Sequence, residues 1–338
     1  MILVTGGTGL LGSHLLYRLA SEHKELTALK RPSSDLEKVK QVFGYYTGGG
    51  DETEALFGRI RWQDVDLMNR VEMGDAMQGA GQVYHCAAMV SFQPGDRKKM
   101  ISFNTGITAN VVDACLSSCV DKLVHVSSTA AIGRSPDGSP ATENLIWSRT
   151  KSSTGYAESK FSSEMEVWRG MEEGLNAVIV NPSIILGAGF WNRGSSEMFH
   201  RVAKGLKYAS PGITGYVGVQ DVVQAMTARM ESNLYGERYI LNEGNYSYTE
   251  IFSMIGRALG KERDLKLVGP TLLWNLARID SVAALIRGFR IFTTEHARAA
   301  FSEVHFSSDK IKRALGMEFT PLEQVIKDVA KQYLKDHA

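Results

Sequence analysis

One stretch constrains this chain more than any other: Thr5-Gly6-Gly7-Thr8-Gly9-Leu10-Leu11-Gly12, set between an apolar run at 2–4 and a helix-forming pattern over 13–22. A strand-like run at 25–29 follows, so strand, glycine turn, helix and strand succeed one another as in the first unit of a parallel α/β sheet. In such a unit Gly6 permits the tight turn, Gly9 lets a pyrophosphate reach the backbone, and Gly12 lets helix and strand pack closely. Free N–H groups and the positive end of the helix dipole then face phosphate. The expectation is an α/β, doubly wound parallel sheet whose first turn, through Thr5, Gly6, Thr8, Gly9, Leu10, Leu11 and Gly12, holds a dinucleotide.

The alternation continues down the chain. Strand patterns recur at 60–65, 82–85, 122–126, 177–180 and 237–242, and helical patterns at 73–77, 104–116, 156–169, 197–205, 249–259, 309–315 and 321–334. Residues 45–52, with three consecutive glycines, read as a flexible excursion, and 136–154 as a polar loop over the site. Asp221 is expected to cap a helix. An apolar-rich stretch over 265–292, including Pro270, Leu272, Leu273, Trp274 and Leu276, is expected to pack a smaller unit. An NAD site would end its second strand in a carboxylate that accepts from the ribose 2′-hydroxyl. Here Lys30 and Arg31 stand at that point, Ser33 follows, and the nearest carboxylate, Asp35, lies beyond Pro32. Two cations suit a 2′-phosphate, so NADP is expected in preference to NAD.

Composition narrows the partners. The formal charge is +1, from 38 basic and 37 acidic side chains, which provides no field for drawing in nucleic acid or an anionic membrane. A small-molecule substrate is expected instead. With 43% hydrophobic residues among 338 the chain can bury a sizeable core, yet no apolar run approaches the roughly 20 residues of a membrane span. The strand pattern starting at residue 2 is expected to exclude a signal peptide. The three cysteines, Cys86, Cys115 and Cys119, are too few for a disulfide framework. Reduced structural thiols, no metal site and a cytoplasmic protein are the corresponding expectations.

The chemistry centres on Tyr156 and Lys160. Four residues apart in a helical pattern, their phenol and ammonium share one face and can act on one proton. With the T-G-x-x-G-x-x-G turn and the serines at the end of the strand at 122–126, this pair resembles the extended branch of the short-chain dehydrogenase/reductase superfamily, also termed NAD-dependent epimerases/dehydratases. The likeness spans nearly the whole cofactor domain and departs at Ile107, where the branch usually carries glycine. It implies a Rossmann-type sheet with a smaller, mostly helical substrate domain: residues 1–182 and 216–242 bind NAD(P), and 183–215 and 243–338 bind substrate. It implies that Asp66 and Leu67 flank the adenine, that Ala87 and Ala88 admit the nicotinamide ribose, and that Asn104 opens its helix beside the cofactor. Val126, Asn181, Pro182 and Ile184 complete that site. Met89, Val90, Ser91 and Thr129 would face the substrate, whose oxygen Ser128 holds while Tyr156 exchanges its proton. Lys160 would bind the nicotinamide ribose and, with an oxidised nicotinamide, lower the phenol from its ordinary pKa of about 10.

Within the branch, the segment 206–216 is short and has no glycine-aspartate-glycine turn. In this it is more similar to dihydroflavonol reductases and 3β-hydroxysteroid dehydrogenases than to nucleotide-sugar epimerases and dehydratases. The resemblance therefore implies hydride transfer to or from a small carbonyl or alcohol. Arg193, Arg201 and Lys204 keep open an epimerase or dehydratase acting on a sugar nucleotide. A non-catalytic NADP(H)-binding sensor is the third reading. A homodimer through the helices beginning near Asn104 and Tyr156 is also implied.

Overall fold

Strands that read as apolar runs are covered on both faces, and such strands form the middle of a seven-stranded sheet at the centre of this fold. The computed structural model describes residues 1–22, 25–150, 153–273, 275, 278–280 and 293–338. In chain order the first part comprises β1 (Ile2–Thr5), α1 (Leu10–Glu22), β2 (Leu26–Lys30), α2 (Glu37–Thr47), α3 (Asp51–Phe57), β3 (Ile60–Asp64), α4 (Arg70–Met77) and β4 (Gln82–His85). Then come α5 (Arg97–Ser117), β5 (Lys122–Val126), α6 (Gly155–Glu172) and β6 (Ala177–Pro182). After an excursion, α8 (Val219–Glu231) returns the chain to β10 (Glu237–Leu241). The strand order is β10-β6-β5-β4-β1-β2-β3, with every pairing parallel. Because β1 pairs with β2 on one side and β4 on the other, the order reverses there, and a crevice opens beyond the carboxyl ends of β1 and β4.

Side chains alternate across the sheet. Val4, Tyr84, Val124 and Val178 enter one core with Leu15, Leu16 and Leu19 of α1 and Val222, Val223 and Met226 of α8. Leu3, Val83, Leu123 and Ile179 enter the other with Met73 and Met77 of α4, Val111 and Cys115 of α5 and Val167 of α6.

The smaller unit contains β7 (Ile184–Leu186), α7 (Glu197–Ala203), β8 (Tyr208–Ala209), β9 (Ile213–Gly218), β11 (Gly244–Ser247), α9 (Tyr248–Ala258), β12 (Lys266–Leu267), α10 (Thr294–Ala299), α11 (Asp309–Leu315) and α12 (Leu322–Asp336). It is mostly helical, as expected, with two small sheets added: β11-β9-β7 form a three-stranded sheet and β12-β8 a two-stranded one. Phe199, Ile251, Ile255, Leu322 and Ile326 build its core. Ile311 of α11 and Met317 pack instead in the α1 side of the large sheet's core, so the chain crosses between the units once more than the sequence suggests. Of the expected apolar stretch, Leu273 is buried and Leu272 half-exposed, whereas Trp274, Leu276 and 281–292 lie outside the described residues.

Three local expectations are corrected. Residues 45–52 are mostly helical, because Tyr46 stacks on Tyr17 of α1 at 4.1 Å, and only Gly48, Gly49 and Gly50, all at positive φ, break α2 from α3. Asn104 does not open its helix: a 3-10 turn at Pro94–Asp96 leads into α5, which starts at Arg97. Asp221 does not cap α8, whose N-cap is Gly218; its carboxylate accepts from the Thr320 amide and, at 2.8 Å, from the Thr320 hydroxyl.

The glycine turn yields a stability prediction. A Cβ at Gly12 would lie 2.2 Å from the Gly6 carbonyl oxygen, whereas one at Gly9 would meet that oxygen at 3.4 Å. Gly12→Ala should therefore cost at least the about 1–3 kcal/mol of overpacking in urea denaturation, and Gly9→Ala should stay within about 0.5 kcal/mol of the parent. Equal midpoints for the two variants would contradict this packing.

Candidate active site

The carboxyl end of β5 and the first two turns of α6 meet beside the crevice. Thr154 caps α6 by accepting from the Ala157 amide at 3.0 Å, which fixes the helix start and presents Tyr156 and Lys160 on its inner face. Ser128 leaves β5 in extended backbone and caps the short turn at Thr129–Ala131, its Oγ accepting from the Ala130 amide. The Ser128 hydroxyl lies near enough to the Tyr156 phenol to favour its ionised form. Ser128, Tyr156 and Lys160 thus lie where the end of β5 meets the start of α6.

The electrostatics differ from the expectation. Burial raises the Tyr156 phenol above its ordinary pKa of 10.0, and the nearby Ser128 hydroxyl, which favours the phenolate, opposes this only in part. The expected lowering by Lys160 is not found; the Lys160 ammonium donates to the Val126 carbonyl at 2.9 Å. Lys160 is only 5% exposed. Burial pushes it down to about 8, while Cys86 and Glu164 favour the charged form.

Beneath this group lies a network that sequence reasoning did not identify. Glu164 accepts from Ser127 Oγ at 2.7 Å, Asn181 Nδ2 at 2.8 Å and the Trp168 indole at 3.3 Å, and pairs with Arg238 at 2.7 Å. Asn181 Nδ2 also donates to the Ser128 carbonyl at 3.1 Å, so the network grips the backbone that carries the serine. The spacing of four from Tyr156 to Lys160 to Glu164 was the available signal, since all three fall on one helix face. Arg238 had none, because β10 reaches α6 only in three dimensions.

The glycine turn lies on the exit of β4: a Cβ at Gly6 would sit 2.5 Å from the Ala87 nitrogen. Thr5, expected to meet the cofactor, uses its hydroxyl internally; Oγ1 is 2.7 Å from His85 Nδ1 and accepts from the Ala87 amide at 3.3 Å. Leu11 is buried in the core, so only its backbone is left for phosphate. Asn104 is likewise committed. Its Nδ2 donates to the Met89 carbonyl at 2.9 Å and its Oδ1 accepts from the Met89 amide at 2.7 Å, which braces the loop holding Ala87, Ala88, Met89 and Val90. Val90 is exposed, and the Ser91 hydroxyl donates to Asp96 at 2.6 Å. Ile184 packs against the core of the smaller unit, and Pro182 is buried where β6 pairs with β10.

At the adenosine end, Lys30 is bound to Asp64 at 2.5 Å, leaving Arg31 exposed beside the Ser33 turn. Asp66 is exposed and accepts from the Met68 amide at 3.0 Å, with Leu67 half-buried next to it. Cys86, Cys115 and Cys119 are free, and burial pushes Cys86 up to about 12.

Lys160 gives this site a pH signature. Its pKa is about 8 in the fold against an ordinary 10.5, so between those values the unfolded chain binds more protons and stability rises with pH. The unfolding free energy of the parent relative to Lys160→Met should be level below pH 8 and climb from 8 to 10.5. A difference that stays level throughout would show that Lys160 is not a buried cation.

The chain resembles known proteins over this whole arrangement. It is 29% identical over 279 residues to sterol demethylase protein B of Methylococcus capsulatus, covering 81% of this chain and 79% of that one. It is 25% identical over 343 residues to a putative dihydroflavonol 4-reductase of Synechocystis, covering 99% and 94%. The crystal structure of gox2253 superposes with a TM-score of 0.81 at 27% identity, covering 99% of this chain and 98% of that one. A family model matches residues 2–244, from β1 to the first residue of β11. That span holds the glycine turn, Ser128, Tyr156 and Lys160, and the chain belongs to the NAD dependent epimerase/dehydratase family.

Proposed function

We propose that this protein is an NAD(P)-dependent reductase that delivers a hydride to the carbonyl carbon of a small substrate and a proton from Tyr156 to its oxygen. The observation that carries this reading is the placing of the Ser128 hydroxyl beside the Tyr156 phenol at the mouth of the crevice, with Lys160 buried one helical turn further on. The cradle fits a dinucleotide. An added Cβ at Gly9 would meet only the Gly6 carbonyl, so the turn's outer side is open, and the first amides of α1, at Leu10, Leu11 and Gly12, precede any acceptor within the helix.

When bound there, the dinucleotide supplies the hydride. Ser128 and Tyr156 then hold the carbonyl oxygen between two hydroxyls, which polarises the carbon and orients it. Because burial keeps the phenol protonated, Tyr156 stands ready as a proton donor, which suits reduction better than oxidation. Lys160 binds the nicotinamide ribose and favours the phenolate left after proton transfer. Asn104 and Asn181 act through the backbone, holding Met89 and Ser128.

NADP is the preferred cofactor in this proposal. With Lys30 bound to Asp64, recognition of a 2′-phosphate rests on Arg31 and the serines of its turn. The epimerase alternative loses part of its support, since Arg201 is paired with Glu197 on its own helix at 2.8 Å. The sensor reading has no structural observation in its favour. A homodimer through the outer faces of α5 and α6 belongs to the proposal as well, with Met165 48% exposed on α6. So do a cytoplasmic location and the division into 1–182 with 216–242 and 183–215 with 243–338; among the described residues no helix is long and apolar enough to cross a membrane.

Two measurements test this. Replacing Tyr156 by Phe should lower carbonyl reduction on the order of 10²- to 10⁴-fold with dinucleotide affinity retained; full activity would exclude the phenol as proton donor. In calorimetric titration NADPH should bind more tightly than NADH, and Arg31→Ala should weaken NADPH alone. Tighter binding of NADH would refute the 2′-phosphate assignment.

A further inference from the structure

Arg193 is a cation for which the site described so far has no use. Its Nη2 lies 3.5 Å from the Thr8 carbonyl oxygen in the glycine turn, a long hydrogen bond. Its guanidinium covers the Phe190 ring at 4.7 Å from the centroid. Among the described residues no carboxylate pairs with it, whereas Lys30 and Arg201 each have one.

The segment that carries Arg193 is fixed at several points. His14 of α1, fully buried, has Nε2 3.0 Å from the Ala188 carbonyl. The Trp191 indole donates to Asp336 at 2.7 Å, and Ser196 Oγ donates to the Gly187 carbonyl at 2.9 Å. Phe190 takes φ 57, the left-handed region that a residue with a Cβ occupies only when its surroundings impose it. The Arg193 amide then donates to the Phe190 carbonyl at 3.0 Å, closing the turn that lays the guanidinium on the ring. The fold thus maintains an unpaired, stacked guanidinium at the mouth of a turn whose backbone amides lie open.

We propose that Arg193 binds a diphosphate, and that this diphosphate is the pyrophosphate of the dinucleotide. The inference rests on the dinucleotide reading and extends it: α1 offers amides from one side and the smaller unit offers a guanidinium from the other. A planar guanidinium binds two phosphate oxygens at once, a stronger arrangement than a 3.5 Å contact to one carbonyl. The contact with Thr8 favours the cofactor over a sugar nucleotide as the source of the diphosphate.

The test is calorimetric titration of the parent, Arg193→Gln and Arg193→Lys with NADPH, NADH and UDP, alongside the melting temperature of each ligand-free protein. The expected result is a loss of about tenfold or more in affinity for both dinucleotides in Arg193→Gln, the scale of a charge-assisted hydrogen bond. Arg193→Lys should recover part of it, and melting should be unchanged. Unaltered dinucleotide affinity in Arg193→Gln overturns the inference. So does a loss confined to UDP, which would assign Arg193 to a substrate diphosphate, or a loss accompanied by lower melting, which would assign it a structural role. If the parent itself binds neither dinucleotide, the functional reading falls and this inference with it; if the parent binds and Arg193→Gln binds equally well, only this inference falls.

Discussion

The structure depends on how closely three stretches of backbone approach at the exit of β1. A Cβ on Gly6 would meet the Ala87 nitrogen, and one on Gly12 would meet the Gly6 carbonyl at 2.2 Å, so the turn, the strand beside it and the helix after it leave no room for side chains. Thr5 clasps the two strand ends from within, through His85 and the Ala87 amide. These contacts set where the crevice opens, which amides are left unpaired and how close a ligand can come to them. A fold with looser packing here would keep its sheet and lose its cradle.

Buried charge is the second organising element. Glu164 is 1% exposed, and its four donors come from the residue after β5 and from α6, β6 and β10. Breaking such a pair by removing one partner costs about 3–5 kcal/mol, though exchanging the whole pair for apolar groups is often neutral. Net stability is therefore a weak reason for its presence, and geometry a better one: the network holds both Ser127 and, through Asn181, the Ser128 backbone. Lys160 stands in contrast. It is bound to a carbonyl and not to a carboxylate, so burial lowers its pKa without neutralising it, and its charge stays available to a ribose or a phenolate.

The smaller unit reaches back over the cofactor side by more than its linkers. Asp336, at the end of α12, accepts from both Tyr45 of α2 and Trp191. Asp221 of α8 holds Thr320, which precedes α12. The last helix thereby ties the loop around Phe190 to the helices behind the glycine turn. Interactions of this kind join residues 145 and 291 positions apart, and no local pattern announces them.

Much of the site was legible in the sequence. Glycine spacing, apolar runs and a four-residue interval report directly on turn, strand and helix face, because each is a local consequence of backbone geometry. The parallel sheet and the crevice follow from them, whereas the grouping of Ser128 with Tyr156 and Lys160 came from the family resemblance. What the sequence did not show was the internal partners of polar side chains: Thr5 and Asn104 serve the backbone, Lys30 pairs with Asp64, and Asp221 holds a residue 99 positions away. The direction of the Tyr156 shift was also hidden, since it depends on how much water the completed fold excludes. Local chain geometry determined the elements and their chemistry; only the tertiary structure decided which donors and charges remained free, because hydrogen bonds and desolvation are settled by neighbours in space.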